Sequence, residues 1–285
     1  MILSMTGFGR AEDVFEGKKI TIDIKSLNSK SFDLNIKIPL RYKEKEFEIR
    51  KILNDRIIRG KVDCYVNVEN LEETNDVKIN KGLIDSYINE LRTIAADGPD
   101  FEYLKMAVRL PDAITSRPDE LSEGEWDALA KIVHAAVDRF EEFRRTEGKI
   151  LHEELERNLQ NIDRYLSAVI PFEEVRIQSV KERYQKSLKE FENVDETRFY
   201  QEMAYFTEKL DISEEKVRLS QHLKYYKEVM DTEDFNGKKL GFISQEIGRE
   251  INTLGSKANH AEIQKLVVMM KDDLEKIKEQ TLNVL

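Results

Sequence analysis

The stretch Lys18-Lys-Ile-Thr-Ile-Asp-Ile-Lys-Ser-Leu-Asn-Ser-Lys-Ser-Phe-Asp-Leu-Asn-Ile-Lys-Ile-Pro39 decides how the chain begins. Ile20, Ile22 and Ile24 alternate with Thr21, Asp23 and Lys25, and Phe32, Leu34, Ile36 and Ile38 alternate with Asp33, Asn35 and Lys37. A period of two turns one side of each segment to a core and the other to water, which is the pattern of a half-buried strand. Asn28-Ser29-Lys30 between the two runs has turn chemistry, so a hairpin is expected there. Val62, Cys64, Val66 and Val68 repeat the alternation further on. Between them, Tyr42–Arg59 carries Phe47, Ile49, Ile52, Leu53 and Ile57 at helical spacing, and Gly60 follows as a stop. The opening is therefore expected to be a small sheet covered by one helix.

From about residue 80 the period lengthens to that of a helix. Leu83–Ala95 and Glu102–Val108 read as short helices separated by Asp97-Gly98-Pro99, and Leu110–Gly124, with Pro111 and Pro118, as loop. Ser122-Glu123 is a helix start. Trp126, Leu129, Ile132, Val133, Ala136, Val137, Phe140 and Phe143 then open a long helix that Gly148 either interrupts or sits within. Phe172–Phe191, Arg198–Leu210, Ser213–Met230, Lys239–Ala258 and a last segment from Ala261 to about Asn283 are amphipathic in the same way. The expected fold class is α+β. A sheet-plus-helix domain over 1–80 is followed by a helical arm over 81–195 and a mainly α carboxyl-terminal domain over 196–285.

Composition narrows the function classes. The chain has 285 residues, 40% hydrophobic and 36% charged, with 12 Gly and 5 Pro, which excludes collagen-like and Pro-rich linker sequences. No apolar run approaches the ~18 residues of a membrane span, no signal peptide is visible, and a cytoplasmic protein without membrane partners is expected. One cysteine, Cys64, excludes an intrachain disulfide and a cysteine-based zinc site. The formal charge is −10, which opposes indiscriminate coating of nucleic acid. Residues 1–70 nevertheless hold 14 Lys+Arg against 11 Asp+Glu, a mildly basic head on an acidic body.

Two helical faces carry concentrated polar chemistry. In Lys239–Ala258, Glu246, Arg249, Glu250, Thr253 and Lys257 recur at spacings of three and four, opposite an apolar stripe of Leu240, Ile243, Ile247, Ile251 and Leu254. In Ser213–Met230, Glu214, Arg218 and His222 stand at i, i+4 and i+8 with Glu215 beside them, and Ser213 is expected as the helix cap. Glu202 adds a carboxylate. Such groups can hold Mg²⁺, Mn²⁺ or a phosphate, or can simply neutralise one another across the helices. His134, His152 and His260 are isolated in sequence and read as surface residues. Trp126 and Tyr225-Tyr226 could stack bases, although burial suits the tryptophan. Gly7-Phe8-Gly9 is too short for a dinucleotide fingerprint.

Several motifs recur in one order along the chain. These are Met5-Thr-Gly-Phe-Gly-Arg10, Asp23-Ile-Lys-Ser-Leu-Asn-Ser-Lys30, Asp33-Leu-Asn-Ile-Lys-Ile-Pro39, Arg59-Gly-Lys-Val-Asp63 and Arg145-Thr-Glu-Gly148. Toward the carboxyl end come Lys209-Leu-Asp-Ile-Ser-Glu-Glu215, Arg218-Leu-Ser-Gln-His222, Gln245-Glu-Ile-Gly-Arg-Glu-Ile-Asn-Thr-Leu-Gly-Ser-Lys-Ala258 and Glu279-Gln-Thr-Leu-Asn283. Together they resemble the bacterial YicC/YloC family from end to end. The chain departs from that pattern at Ser29, where histidine is common, and at Lys30, which keeps a charge but loses arginine's bidentate fork. It departs again at Gly248, His260 and Leu285.

The resemblance implies a metal-dependent endoribonuclease that cuts inside single-stranded RNA, assembled as a homo-oligomeric ring, a hexamer, that closes on its substrate. Within that reading His222, Glu246 and Glu250 are the expected acid–base groups, and Glu202, Glu215 and Glu246 the expected ligands of Mg²⁺ or Mn²⁺. Arg218, Arg249 and Lys257 would hold phosphates, and Asn28, Lys30, Arg41 and Arg59 would position the RNA backbone, a role without sequence information. A non-catalytic RNA-binding adaptor and an oligomeric helical scaffold are the alternatives.

Overall fold

The computed structural model describes residues 2–29, 31–71, 78–96, 98–115, 121–188 and 196–285. Lys30, Asp97, Pro118 and Phe191, the expected end of the Phe172–Phe191 helix, lie outside them. Strands β1 (Gly7–Phe15), β2 (Lys18–Leu27), β3 (Phe32–Lys37) and β4 (Gly60–Asn70) form one sheet in the order β1-β2-β4-β3. β2 is antiparallel to both neighbours, with Ile22 opposite Ala11 on one side and Val66 on the other. β3 runs parallel to β4, Leu34 facing Val62.

The hairpin expected at Asn28-Ser29-Lys30 does not form. Both edges of β2 are already taken by β1 and β4, so the chain passes to the far edge of β4 before β3 begins. A parallel pair needs a crossover connection. Here it is a 3₁₀ turn, Leu40–Lys45, followed by helix α1 (Glu46–Arg56), so the single helix expected over Tyr42–Arg59 is shorter and begins as a tighter turn.

β1 was not evident from apolar alternation because its inward positions are Gly7, Gly9 and Ala11. Their smallness has a cause. A Cβ on Gly9 would lie 2.1 Å from the Ala136 carbonyl oxygen of the long helix that covers this strand.

Residues 78–115 form a small unit of β5 (Lys78–Ile79), α2 (Lys81–Ile94), α3 (Asp100–Ala107) and β6 (Ile114–Thr115) around Ile84, Ala107 and Ala113. Helix α4 (Glu123–Val169) then runs unbroken for 47 residues, and the Ser122 side chain accepts a hydrogen bond from the Glu125 N–H at its start. Its first half packs Leu129, Val133, Ala136, Val137 and Phe140 against Ile20, Ile22 and Ile24 of the sheet and Ile49 and Leu53 of α1. Its second half sends Leu151, Leu155, Leu159 and Ile162 into a second core. Gly148 sits within the helix, and the amino-terminal segment crosses there, with Ile2 O only 2.2 Å from where a Cβ would stand.

The second core is built by α4, α7 (Ser213–Thr232), α8 (Gly237–Ala258) and α9 (Ala261–Thr281), while α5 (Pro171–Leu188) and α6 (Glu196–Leu210) attach at its side. The chain ends meet against the middle of α4. Met5 N–H donates to Asn283 O at 2.8 Å and Leu285 N–H to Leu3 O at 2.9 Å. Among the described residues no helix is long and apolar enough to cross a membrane.

Candidate functional site

α7 and α8 form an antiparallel helical hairpin. At its open end Lys257 Nζ, near the end of α8, donates to Glu215 Oε1, near the start of α7, at 2.7 Å. At its closed end Asn236 Nδ2 donates to Val229 O at 2.8 Å. Glu215 is 3% exposed, and its second oxygen has no hydrogen-bond partner. Moving seven residues inward on each helix, about 10 Å, places His222 level with Glu250 on the same two faces. Both are half-buried at the edge of the core stripe. Glu246 lies one turn beyond and accepts from Arg249 Nη1 at 2.7 Å, while Arg218 pairs with Glu214. The hairpin thus carries His222 and Glu250 at one level, with exposed Arg218 about one turn toward the open end and Arg249 and then Glu246 toward the closed end.

The carboxylates expected to bind a metal are not gathered. Among the described residues no three His, Cys, Asp or Glu side chains lie close enough to hold an ion. Glu215 is buried against Lys257, Glu246 is occupied by Arg249, and Glu202 is exposed on α6, two turns before Leu210. Within one subunit this donor set does not fit a three-ligand site.

Ser213 is the first helical residue of α7 and not its cap; Ile212 occupies the cap position, and Asp211 Oδ1 accepts from Ser213 N–H at 2.9 Å. A hydrogen bond from the Ser213 side chain, and after it this backbone bond, hold the Asp211 carboxyl below its ordinary value. Sequence patterning also passed over Arg176. This residue is 3% exposed and donates to Lys257 O at 3.2 Å, Ala258 O at 3.1 Å and Leu210 O at 2.5 Å. It closes the carboxyl ends of α6 and α8 with a cation, as the helix dipoles favour. Burial pushes its guanidinium below the ordinary value. In sequence it is one charge among many on an amphipathic helix, and its targets are backbone atoms, so nothing marked it.

The head candidates separate. Arg41 Nη2 donates to Glu125 Oε2 at 2.5 Å, and Tyr42 Oη and Lys18 Nζ bind the other oxygen of that buried carboxylate. Arg59 stands beyond the opposite end of α1, where its Nε donates to Ser29 O at 2.9 Å. Asn28 Nδ2 donates to Leu282 O at 2.6 Å, fastening the same loop to the end of α9. Arg59 and Asn28 therefore hold one loop in place, and Arg41 serves another part of the head. His152 is not isolated, since its Nε2 lies 2.7 Å from Asp231 Oδ1. Tyr226 is buried with its hydroxyl 2.7 Å from Thr281 Oγ1, which leaves only Tyr225 of that pair on the surface. Trp126 is half-buried beneath Lys45.

The models for the amino-terminal region and the carboxyl-terminal region of endoribonuclease YicC-like proteins match residues 2–153 and 169–285. The chain belongs to the YicC-like family. It is 32% identical to the probable endoribonuclease YicC of Clostridioides difficile and 28% identical to that of Haemophilus influenzae, each match covering all of both chains. Within this family member the Met5–Arg10 motif is architectural. Met5 O accepts from Ser26 Oγ and from Arg144 Nη2, Thr6 Oγ1 donates to Glu147 Oε2 at 2.6 Å, and Gly7 and Gly9 admit α4. The Gln245–Ala258 motif differs in that it carries both the core stripe and the polar strip of α8.

Proposed function

We propose that this protein is a cytoplasmic endoribonuclease that cuts phosphodiester bonds inside single-stranded RNA, depends on Mg²⁺ or Mn²⁺, and works as a ring-shaped homo-oligomer, a hexamer, closing on the RNA. The observation that carries this reading is the full-length likeness to proteins named probable endoribonucleases. An internal cut needs one group to take the proton of the attacking oxygen, another to return one to the leaving oxygen, and cations on the phosphate. His222 and Glu250 stand level on the α7–α8 hairpin for the proton work, with Glu246 beside them. Arg218 and Arg249, 52% and 72% exposed, reach outward to phosphate, and Lys257 keeps Glu215 in place behind them. No step is assigned to the metal here, because Glu202, Glu215 and Glu246 do not form a site in one subunit.

Self-association draws support from residues 78–115. Ile84, Ala107 and Ala113, with Tyr87, Ile88 and Val108 packed against them, make the core of that unit, while Ile94, Phe101 and Met106 are 83%, 63% and 54% exposed. Apolar surface in so small a unit favours burial against another subunit.

The test is an end-labelled single-stranded RNA incubated with purified protein, with and without chelator, alongside sedimentation of the protein. Internal cuts that stop with chelator, from a hexamer, are expected. Retained but intact RNA would instead make the protein an adaptor, and an oligomer that neither holds nor cuts RNA would make it a scaffold.

A further inference from the structure

A cleft of about 200 Å³ opens where the end of α1, the middle of α4 and the α7–α8 connection meet. It lies apart from the polar strip of the hairpin. Arg56, Arg144, Arg145 and Glu141 line it together with Ile58 and Phe235.

Three observations give the cleft a chemistry. Arg144 is only 4% exposed, and its Nη2 donates at 3.0 Å to Met5 O, Ser26 Oγ and Arg59 O, all neutral oxygens, while its Nε is buried without a partner. Glu141, on the same cleft, is the anion that faces this buried cation, but Arg144 and Arg145 together still outnumber it there. Next, Glu141 is already held by Arg56 Nε at 2.8 Å and more loosely by Arg145 at 3.4 Å, and Asp138 takes the other side of Arg56. Arg145, 63% exposed, is thus the guanidinium most available to a ligand. Finally, Phe235 has a left-handed backbone with φ of 54° and is 53% exposed. An aromatic residue in that region is strained, and such strain collects at ligand-binding positions. Ile58, 61% exposed, lies on the same cleft.

We propose that this cleft binds one nucleoside monophosphate unit, its phosphate on Arg145 with the buried charge of Arg144 behind it, and its base against Phe235 and Ile58. Guanidinium groups match phosphate oxygens in pairs, and an aromatic face stacks on any base. That unit is supplied either by a free nucleotide or by the phosphorylated end of an RNA; only the second source rests on the RNA reading above.

The probes are adenosine 5′-monophosphate and a short single-stranded RNA carrying either a 5′-phosphate or a 5′-hydroxyl, titrated against the full-length protein. Adenosine monophosphate is expected to bind, and Arg145→Gln and Phe235→Asn are each expected to weaken it roughly tenfold. Phe235→Asn is also expected to leave the urea midpoint unchanged or raised, since asparagine tolerates a left-handed backbone. A preference for the 5′-phosphorylated RNA, competed away by the mononucleotide, identifies an RNA end as the source. Equal binding of the two RNAs identifies a free nucleotide. Absence of mononucleotide binding, or binding that neither substitution alters, overturns the proposal. A circular RNA, which has no end, separates this failure from failure of the endoribonuclease reading: it can be cut while the cleft stays empty, or remain intact while the cleft binds.

Discussion

Lys257 Nζ and Glu215 Oε1, 42 residues apart in the chain, meet at 2.7 Å between α7 and α8, and this contact sets the register of the hairpin. Glu215 is nearly sealed from solvent, whereas the Lys257 side chain is 32% exposed. Removing the lysine charge leaves a buried carboxylate without its cation. Lys257→Met is expected to cost about 1–3 kcal/mol in urea unfolding, below the range for a wholly buried pair because the lysine is partly solvated. The double variant Lys257→Met, Glu215→Leu is expected to recover part of that loss. Equal stability of wild type and single variant would contradict the assignment of this contact as the clasp.

Glu125 gives a pH signature. Burial alone would raise its carboxyl, but hydrogen bonds from Arg41, Tyr42 and Lys18 outweigh burial and hold it below the ordinary 4.5. A lowered folded value means that the contribution is complete above 4.5 and is lost as pH falls through the folded value. Glu125→Gln is therefore expected to be less stable than wild type at neutral pH, with the difference shrinking as the solution is acidified below about pH 4. Urea titrations at several acidic pH values measure it. A gap that stays constant would show that charge plays no part.

Gly148 and Gly241 make an opposed pair. Alanine in a helix ordinarily gains up to about 1 kcal/mol over glycine, and Gly241 has nothing within 4 Å of the added Cβ, so Gly241→Ala is expected to stabilise. At Gly148 the same atom would strike Ile2 O, and Gly148→Ala is expected to destabilise by about 1–3 kcal/mol. Thermal or urea midpoints of the two variants should move in opposite directions. Movement in the same direction would contradict the crossing of the amino-terminal segment over α4.

What the sequence made legible follows the range of the forces involved. The alternation of β2, β3 and β4, the Ser122 cap and the helical stripe of α8 are local patterns, written within a few residues. Partner choice is not local, so Asn28–Lys30 read as a hairpin turn although β2 pairs with β1 and β4. β1 escaped notice because contact with α4 demands glycine and alanine where apolar side chains would have revealed a strand. The polar strip of α8 was visible, but not that Glu215 would be consumed by Lys257 or that Arg41 would be tied to Glu125. Arg144 and Arg176 were illegible for a related reason: their partners are mostly backbone carbonyls, which leave no trace in residue identity.

The central claim is that the α7–α8 face performs the cut, and internal cleavage of a circular single-stranded RNA by His222→Ala and Glu250→Gln tests it most directly. The account predicts that each substitution slows cutting by roughly 10²-fold while urea midpoints stay near wild type. Cutting at the wild-type rate by both folded variants would contradict it.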